Sequence, residues 1–362
     1  MSLPLDKEIH RILAVRLDNI GDLVMLGPSL RVMRRNFPAA HITLLATRAG
    51  TQVAPLLPWI DEVWEHRPIW QDTQGAMPFD PAREKTFISD LSKRQFDAAF
   101  VFTSFTQSPY PPGFACYLAG IPLRIGQSHA FAGAVLSHWI RPLPTETHQV
   151  DRNLHLLASV DLAFDPQAEK RLELQIPLDT ASRAEKLLEE SGIDPQQPFL
   201  VVAPGASCPT RIYDPVRLGQ AMSHIGQRLM LPMVLVGSRK EEALAAKIFA
   251  VSPANLVVSL VNRTTISELS AIIRRCSLLL GCHSGPMHLA DAFHRSMVIL
   301  FSGTDLECQW RPRNSPNLLL RKSTFCSPCY RFNCPYQMEC LDIPASTVAD
   351  QVCSLLVSNQ SL

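Results

Sequence analysis

The feature that most constrains the fold of this chain is an alternation of short, continuous apolar runs with longer amphipathic stretches. In the second half the apolar runs are FLVVAPG, MVLVG, NLVVSL, SLLLG and SMVILF. Between them lie helical patterns such as DPVRLGQAMSHIGQRL, RKEEALAAKIFA and TISELSAIIRRC. Strands buried on both faces read as continuous apolar runs, and their alternation with helices is typical of a parallel sheet. The pattern therefore predicts a parallel α/β domain.

The first half repeats this organisation with shorter apolar runs, namely RILAV, HITLLA, DEVWEH, FDAAFVF and PLRIGQ. A chain of 362 residues is long enough for two domains, each with its own core. A polar stretch with two prolines separates the halves. We therefore expect an α/β fold of two Rossmann-like domains at residues 1–162 and 180–362, joined by a linker at 163–179, with a cysteine-rich segment near the C-terminus.

Composition and charge narrow the class of protein. Hydrophobic residues make up 46% of the chain and charged residues 19%, and the net charge is +1. That charge provides no electrostatic basis for a broad nucleic-acid interface. No apolar run reaches the 18 residues of a membrane-spanning helix, and MSLPLDKEIH is not a signal segment. We expect a cytoplasmic globular enzyme, whose ten cysteines are thiols or metal ligands rather than structural disulfides.

The loop RLDNIGD follows the first apolar run and carries two acids, Asp18 and Asp22, with one glycine, Gly21. Ligands of open α/β sheets bind outside the carboxyl ends of the strands, so this loop is expected to border a ligand site. A dinucleotide loop would instead read G-x-G-x-x-G, so that bare backbone approaches the pyrophosphate. Because two carboxylates repel phosphate, the loop argues against NAD or FAD binding here.

An acid–base role is the other interpretation of this loop. Asp22 lies where a helix begins, and the helix dipole and free N–H groups there favour the ionised carboxylate. Such a carboxylate can accept the proton of an attacking hydroxyl group. The alternatives are that Asp22 is only a helix N-cap and Asp18 only a solvated loop acid. Asp18, Asn19 and Gly21 are candidates for loop residues or for contacts with the molecule that carries the attacking hydroxyl group.

Two loops of the second half carry charged candidates. Arg211 follows the first apolar run of that half, within VVAPGASCPTRIYDP, where a guanidinium suits phosphate recognition. Glu241 and Glu242 follow the next run, where one acid could bind ribose hydroxyls. The alternatives are an exposed loop arginine, and acids that only complement a helix dipole.

The stretch LLLGCHSGPMHLADAF predicts a buried strand that leads directly into a helix. Ser284, Gly285 and Pro286 would start that helix, with Met287 and His288 in its first turn. Backbone N–H groups exposed at such a start form an anion site, which His288 could also face. The alternative for His288 is a packed interior histidine.

Common metal and nucleotide motifs do not occur. The sequence contains no G-x-x-x-x-G-K-[ST], H-E-x-x-H or D-x-D motif, so a metal-bridged pyrophosphate site has no obvious ligand set. The phosphates of a bound nucleotide would instead be neutralised by Arg211, His288 and a helix N-terminus.

Four cysteines near the C-terminus have the spacing C-x2-C-x4-C-x5-C: Cys326, Cys329, Cys334 and Cys340. Four close thiolates could bind a structural zinc ion or hold an iron–sulfur cluster. The alternative is reduced cysteines, or a disulfide, in a packed segment. A metal ion with four thiolate ligands would have no open position for catalysis.

Taken together, these motifs resemble glycosyltransferase family 9, the lipopolysaccharide heptosyltransferase family. The matching pieces include RLDNIGDLVMLGPSL, APGASCPTRIYDP, VLVGSRKEE, LLLGCHSGPMHLADAF and LFSGTDLECQWRP, in the family's order over nearly the whole chain. HQVDRNLHLL and CSPCYRFNCPYQMECLDI are similar too. The resemblance implies a GT-B fold, with parallel sheets facing a central cleft. It also implies metal-independent, inverting transfer of a heptose or related sugar from a nucleotide donor, typically ADP-heptose.

The resemblance also implies roles for residues and partners. Asp22 matches the general base, in an acceptor-binding first domain. In a nucleotide-sugar-binding second domain, the donor contacts would be Arg211, Glu241 or Glu242, Ser284, Gly285, Met287 and His288. The acceptor would be a lipopolysaccharide-core-type glycolipid or glycan, which implies peripheral contact with the inner membrane.

The chain departs from the family pattern at three residues. Arg211 replaces a lysine, and Cys282–His283 replaces the usual Asn-Asp before the SGPMH segment, which puts the donor's identity in question. Two other hypotheses are a serine hydrolase that uses Ser284 and His288, and a non-catalytic sugar-nucleotide-binding protein. The hydrolase requires G-x-S-x-G, whereas here the serine comes three residues after the glycine.

Overall fold

The computed structural model describes residues 9–72 and 75–360. The chain folds as two compact units, Met1–Glu173 and Leu174–Leu362. This division falls inside the stretch 163–179. The first part of that stretch packs on the first unit, because Glu169 is buried there and its Oε2 lies 2.6 Å from Nε of Arg31.

Each unit consists of a sheet and flanking helices. The elements of the first unit are β1 (Arg11–Arg16), α1 (Ile20–Asn36), β2 (His41–Ala46), α2 (Arg48–Thr51), β3 (Glu62–Glu65), α3 (Pro81–Lys93), β4 (Ala98–Val101), α4 (Tyr110–Leu118), β5 (Leu123–Gln127), β6 (His138–Ile140) and α5 (Gln149–Ala158). Those of the second unit are α6 (Leu178–Glu190), β7 (Leu200–Ala203), α7 (Pro215–Leu229), β8 (Met233–Leu235), α8 (Glu242–Phe249), β9 (Val257–Ser259), α9 (Ile266–Arg275), β10 (Leu278–Cys282), α10 (Gly285–Ala292), β11 (Ser296–Leu300), α11 (Glu307–Trp310), β12 (Asn317–Leu320) and α12 (Ala345–Gln360).

The two sheets have the same strand order. The first sheet runs β3-β2-β1-β4-β5-β6 and the second runs β12-β11-β10-β7-β8-β9, which is the same arrangement read from the opposite edge. All the described strand pairs are parallel, for example Ile12 beside Ala98 and Leu278 beside Leu200. This is the Rossmann order, in which ligands bind where the strand order reverses. The expected α/β class with two Rossmann-like units is confirmed.

Burial explains why these strands were visible in the sequence. Every residue of β4, β7, β10 and β11 is buried, so each of these strands reads as an unbroken apolar run. The core of the second unit also includes Tyr213, which is 1% exposed and donates its hydroxyl hydrogen to the carbonyl oxygen of Ile343 at 2.6 Å. In each unit the core therefore holds the carboxyl ends of the central strands, and the loops that follow them, in place.

Two strands lie outside the predicted set. They are β6 and β12, which form one edge of each sheet. β6 has only three residues, and all four residues of β12 are only partly buried. Among the described residues, no helix is both long and apolar enough to span a bilayer.

Candidate functional site

Of the predicted catalytic and ligand-binding residues, all but Glu241 and Glu242, which follow β8, lie at the reversal point of a sheet. In the first unit this point lies between β1 and β4, and in the second between β7 and β10. Asp18 and Asp22 follow β1, Arg211 follows β7, and Ser284 follows β10. Each unit therefore presents its candidate residues where an open α/β sheet binds ligands.

In the first unit, Arg16 holds the two acids of the first loop. It is the last residue of β1, and its side chain is fully buried. Its Nε lies 2.8 Å from Oδ2 of Asp18, and its Nη2 donates to Oδ1 of Asp22 at 2.7 Å. The same Nη2 donates to Oγ of Ser104 at 2.8 Å. We call Arg16, Asp18, Asp22, Ser104 and Gln107 the acid–arginine cluster.

Asp22 is the third residue of α1, which begins at Ile20 rather than at Asp22. The N-cap is Asn19, whose backbone N–H donates to Oδ2 of Asp22 at 3.2 Å. The Asp22 side chain is 13% exposed. Each carboxylate oxygen can accept more than one hydrogen bond, so these contacts fix the carboxylate while leaving it capacity to accept a proton. Gly21 is buried within α1.

Asp18 is the more buried acid of the pair and is not a solvated loop residue. Burial raises the pKa of Asp18 to about 6; the Asp22 carboxylate also raises it, whereas Arg16 and a hydrogen bond from Gln107 oppose the shift. Its backbone carbonyl accepts a hydrogen bond from Oγ1 of Thr47 at 2.6 Å. Asp18 is therefore anchored through both its side chain and its backbone.

Several residues of this site were missed by the sequence analysis. Ser104 and Gln107 follow β4, the strand beside β1. Arg152 lies on α5, within the quoted HQVDRNLHLL, and its guanidinium carbon is 4.4 Å from the centre of the Phe105 ring. The signal that could have identified Ser104 and Gln107 is their place after the strand beside β1, because loops that follow adjacent parallel strands meet at one edge of the sheet.

In the second unit, Arg211 belongs to a network and is not an isolated loop arginine. Its Nη2 donates to Oδ2 of Asp305 at 2.7 Å, and its Nε donates to Oγ1 of Thr304 at 3.2 Å. The Thr304 hydroxyl donates in turn to Asp305 at 2.6 Å. The side chain of Arg211 remains 24% exposed, so part of the guanidinium is accessible. Asp305, in the quoted LFSGTDLECQWRP, was not predicted as a site residue.

His283 lies beside this network and is 2% exposed. Its ring stacks on Phe301 with centroids 4.0 Å apart, and its Nδ1 lies 3.8 Å from Oδ2 of Asp305. Burial holds the pKa of His283 well below its usual value, and the positive charges of Arg211 and His288 act in the same direction. At the position where the resemblance implies an aspartate, the chain therefore has a neutral, packed imidazole.

The two glutamates after β8 have different surroundings. A Cβ atom on Gly205 would lie 2.6 Å from Cγ of Glu241, so Glu241 packs against the loop that follows β7. Its Oε2 accepts hydrogen bonds from the backbone N–H and hydroxyl of Ser238 at 2.7 and 2.6 Å. Oε1 of Glu242 instead accepts from Asn262 at 2.9 Å. Glu241 is thus the acid nearer to the loop that carries Arg211.

The SGPMH segment forms the predicted strand-to-helix turn. Ser284 is the N-cap of α10, and Gly285 is the first helical residue. The Ser284 hydroxyl donates to the carbonyl oxygen of Cys282 at 3.3 Å, an arrangement that gives no support to a serine nucleophile. Met287 is fully buried and His288 is 5% exposed, so the side chain of Met287 belongs to the core.

The four C-terminal cysteines converge. Cys326, Cys329, Cys334 and Cys340 line one small cavity, together with Thr210, Gly303, Thr304, Met338 and Glu339. Within residues 9–72 and 75–360, no group of three or more His, Cys, Asp or Glu side chains is arranged to hold a metal ion. The geometry therefore gives the predicted structural metal no support beyond the closeness of the thiols.

Comparison with known proteins places this chain within a family of enzymes. Residues 86–339 match glycosyltransferase family 9 (heptosyltransferase), and this match covers well over half of the chain. The chain is also 21% identical over 300 residues to lipopolysaccharide heptosyltransferase 3 of Escherichia coli (strain K12), covering 81% of this chain and 82% of that protein.

Solved structures share the fold. A glycosyl transferase family 9 protein from Veillonella parvula DSM 2008 is similar with a TM-score of 0.77 at 17% identity, covering 97% of this chain and 99% of that one. The Escherichia coli ADP-heptose lps heptosyltransferase II is similar with a TM-score of 0.71 at 19% identity, with the same coverage of 97% and 99%.

Proposed function

The chain belongs to glycosyltransferase family 9, and we propose that it transfers a heptose or a related sugar from a nucleotide donor to a hydroxyl group of a lipopolysaccharide-core-type acceptor. Family membership makes it a glycosyltransferase. The observation that carries the finer proposal is the Asp22 carboxylate, held by Arg16 at the reversal point of the first sheet. A relative that the chain resembles is a lipopolysaccharide heptosyltransferase, which supports this class of acceptor.

Asp22 acts as the general base in this proposal. The acceptor oxygen attacks the anomeric carbon, and its proton passes to Asp22 as the new C–O bond forms. The bond from the anomeric carbon to the diphosphate breaks on the opposite face, so the configuration inverts. The hydrogen bonds from Arg16 and Asn19 fix the carboxylate before the substrate arrives, which avoids a cost of reorganisation in the transition state.

The second unit binds the donor in this proposal. The exposed part of Arg211 and the start of α10 at Ser284 and Gly285 stabilise the departing diphosphate. His288 lies in the first turn of the same helix. Glu241 is assigned to the nucleoside rather than Glu242, because Glu241 borders the loop that carries Arg211.

We assign ADP-heptose as the donor, since a structural neighbour is an ADP-heptose heptosyltransferase. We also propose that transfer needs no divalent cation, because protein cations and helix N–H groups neutralise the diphosphate. The amphipathic acceptor implies work at the cytoplasmic face of the inner membrane, through peripheral contact.

The base assignment is tested with Asp22→Asn. We expect turnover to fall by roughly 10²–10⁴-fold, because the amide cannot take the proton, while donor affinity stays within about twofold. Rates come from donor turnover with acceptor present, and affinity from calorimetry with ADP. Asp165→Asn, at an exposed carboxyl of the same unit, is the matched control. Wild-type turnover in Asp22→Asn would remove Asp22 as the base.

Donor choice and stereochemistry need separate measurements. A thermal-shift series with ADP-, GDP- and UDP-sugars should give the largest stabilisation with the ADP-sugar. The product's anomeric configuration, read by NMR, should be inverted, and EDTA should leave the rate unchanged. A retained configuration would contradict direct displacement.

A further inference from the structure

Arg152 is a buried arginine that has no acidic partner among the described residues. It lies on α5 and is 5% exposed. Its Nε is buried and has no hydrogen-bond partner. In the part of the chain that the structure describes, its side chain makes no ion pair, and its one ring contact is with Phe105 at 4.4 Å. An uncompensated buried charge is strongly unfavourable, so this arrangement requires an explanation.

Other buried arginines of the first unit show what compensation looks like. Arg31 lies 2.6 Å from Glu169 and 3.1 Å from Glu173. Arg124 donates hydrogen bonds to four backbone carbonyl oxygens at 2.6–3.0 Å. Arg16 has Asp18 and Asp22. Arg152 differs from all three because, within residues 9–72 and 75–360, neither a carboxylate nor a carbonyl oxygen is bonded to its guanidinium.

The position of Arg152 connects it to the acid–arginine cluster. Burial, together with the nearby positive charge of Arg16, lowers the pKa of Arg152 to about 10. Arg152 therefore remains a cation at neutral pH. The cluster's own acids are already engaged, Asp22 by Arg16 and Asn19 and Asp18 by Gln107. A guanidinium that is repelled by its neighbour and lacks an acid attracts an anion from solution.

We propose that Arg152, with Phe105 against its guanidinium, binds an anionic group of the acceptor and so positions the acceptor hydroxyl near Asp22. A planar guanidinium presents paired N–H donors that match a carboxylate or a phosphate. Contact with an aromatic ring holds the guanidinium in place and still leaves N–H edges for the anion. The acceptor's identity rests on the proposed function, whereas anion binding at Arg152 does not.

Anion binding is tested on the full chain without nucleotide or acceptor. Inorganic phosphate and acetate are titrated separately against wild type, Arg152→Gln and Arg141→Gln, with the melting temperature as the readout. Arg141 is an exposed arginine of the same unit and serves as the matched control. We expect at least one anion to raise the melting temperature of Arg141→Gln as in wild type, and that of Arg152→Gln by less than half as much.

The anion whose effect on the melting temperature is reduced in Arg152→Gln identifies the ligand. Acetate would indicate a carboxylate, and inorganic phosphate would indicate a phosphate group. Equal shifts in Arg152→Gln and Arg141→Gln, for both anions, would overturn the proposal. Without added anion, Arg152→Gln should melt no lower than wild type, because it loses an uncompensated charge. A melting temperature several degrees lower would instead make Arg152 a structural residue and would also overturn the proposal.

The positioning role is tested in the transfer assay. Arg152→Gln should raise KM for an acceptor that carries the anionic group at least tenfold, while KM for the donor stays unchanged. An acceptor without that group should show the same KM with both enzymes, and Arg152→Lys should restore part of the loss. An unchanged KM for the anionic acceptor would overturn the positioning role. If wild type transfers no sugar, the proposed function fails, while the anion titration still decides on Arg152.

Discussion

A single arginine organises the candidate catalytic loop. Arg16 is fully buried and sits between two carboxyl groups, so removing either acid would leave a buried charge undercompensated. This arrangement explains why the loop after the first strand carries two acids where a dinucleotide-binding loop would carry glycines. Asp18 and Asp22 compensate Arg16, and Arg16 in turn keeps both carboxylates in fixed positions.

The raised pKa of Asp18 has a consequence for stability. Its pKa in the folded chain is about 6, above the usual 3.8. The folded state therefore binds this proton more tightly than the unfolded state, and the stabilisation is complete below about pH 3.8. It is lost as pH rises through 6. A difference of about two pKa units corresponds to about 3 kcal/mol.

We therefore expect wild type to lose more stability than Asp18→Asn between pH 4.5 and pH 7.5. The difference between the two slopes should be on the order of 2 kcal/mol over that interval, measured by urea unfolding. Because slopes are compared, the constant effect of the amide on Arg16 cancels. Asp165→Asn should follow wild type, and parallel curves for Asp18→Asn would show that the carboxyl is not the responsible group.

The sequence predicted part of this site, for reasons visible at single residues. Asp22 was singled out because the loop RLDNIGD comes after a recognisable strand. Ser104 was missed because it lies 88 positions from Arg16 in the sequence. Only the order of the strands in the sheet brings the two residues together. Arg16 itself was assigned to the loop RLDNIGD, whereas it is the last residue of β1. Its burial with two acids depends on three-dimensional packing, which no local pattern records.

Among elements, the loops of the second unit are braced by the cysteine-rich segment. The backbone N–H of Cys329 donates to the carbonyl oxygen of Gly303 at 3.0 Å, and that of Tyr330 to the carbonyl oxygen of Thr304 at 2.9 Å. Oγ1 of Thr210 donates to the carbonyl oxygen of Arg331 at 2.6 Å. The segment therefore supports the turns that carry Arg211 and Asp305, and its cysteines line the cavity between them.

Thr210→Val tests this support, because valine keeps the shape of the side chain and removes its hydroxyl. Thr210 is 4% exposed, and the carbonyl oxygen of Arg331 would lose a buried donor. We expect a loss of about 1–3 kcal/mol in the free energy of unfolding, with a several-fold weaker affinity for ADP by calorimetry. Thr86→Val, at an exposed threonine of α3, should change neither. Unchanged affinity despite lowered stability would limit the segment to a structural role.

Element prediction succeeded for every fully buried strand and missed two of the four edge strands. β7, β10 and β11 are buried throughout and were recognised as apolar runs. β6 has three residues, of which only the last is buried, and all four residues of β12 are only partly buried, so neither strand has that signature. The start of α1 was placed two residues late, because Asp22 resembles an N-cap whereas Asn19 occupies that position.

For the whole molecule, the tryptophans divide unequally between the units. Four of the five lie in the first unit, at positions 59, 64, 70 and 139, and Trp310 lies in the second. Tryptophan fluorescence therefore reports mainly on the first unit, whereas calorimetry reports on both. A ligand of one unit can be assigned by comparing the two signals.

We expect ADP to raise the main calorimetric midpoint more than the fluorescence midpoint, because the proposed donor loops lie in the second unit. At a concentration of about 100 times Kd, the stabilisation should be about 2.7 kcal/mol. Trp310→Phe controls for the contribution of the second unit to fluorescence. A fluorescence midpoint that rises as much as the calorimetric one, in that variant too, would contradict this assignment of ADP.

The repeated strand order carries a consequence for how new specificities arise in such chains. Each unit has its own core and its own candidate ligand loops at the reversal point of its sheet. The ligand specificity of one unit can therefore change during evolution without changes in the other unit. On the proposed assignment of the acceptor to the first unit and the donor to the second, hybrids of two relatives joined near position 173 would take their acceptor specificity from one parent and their donor specificity from the other.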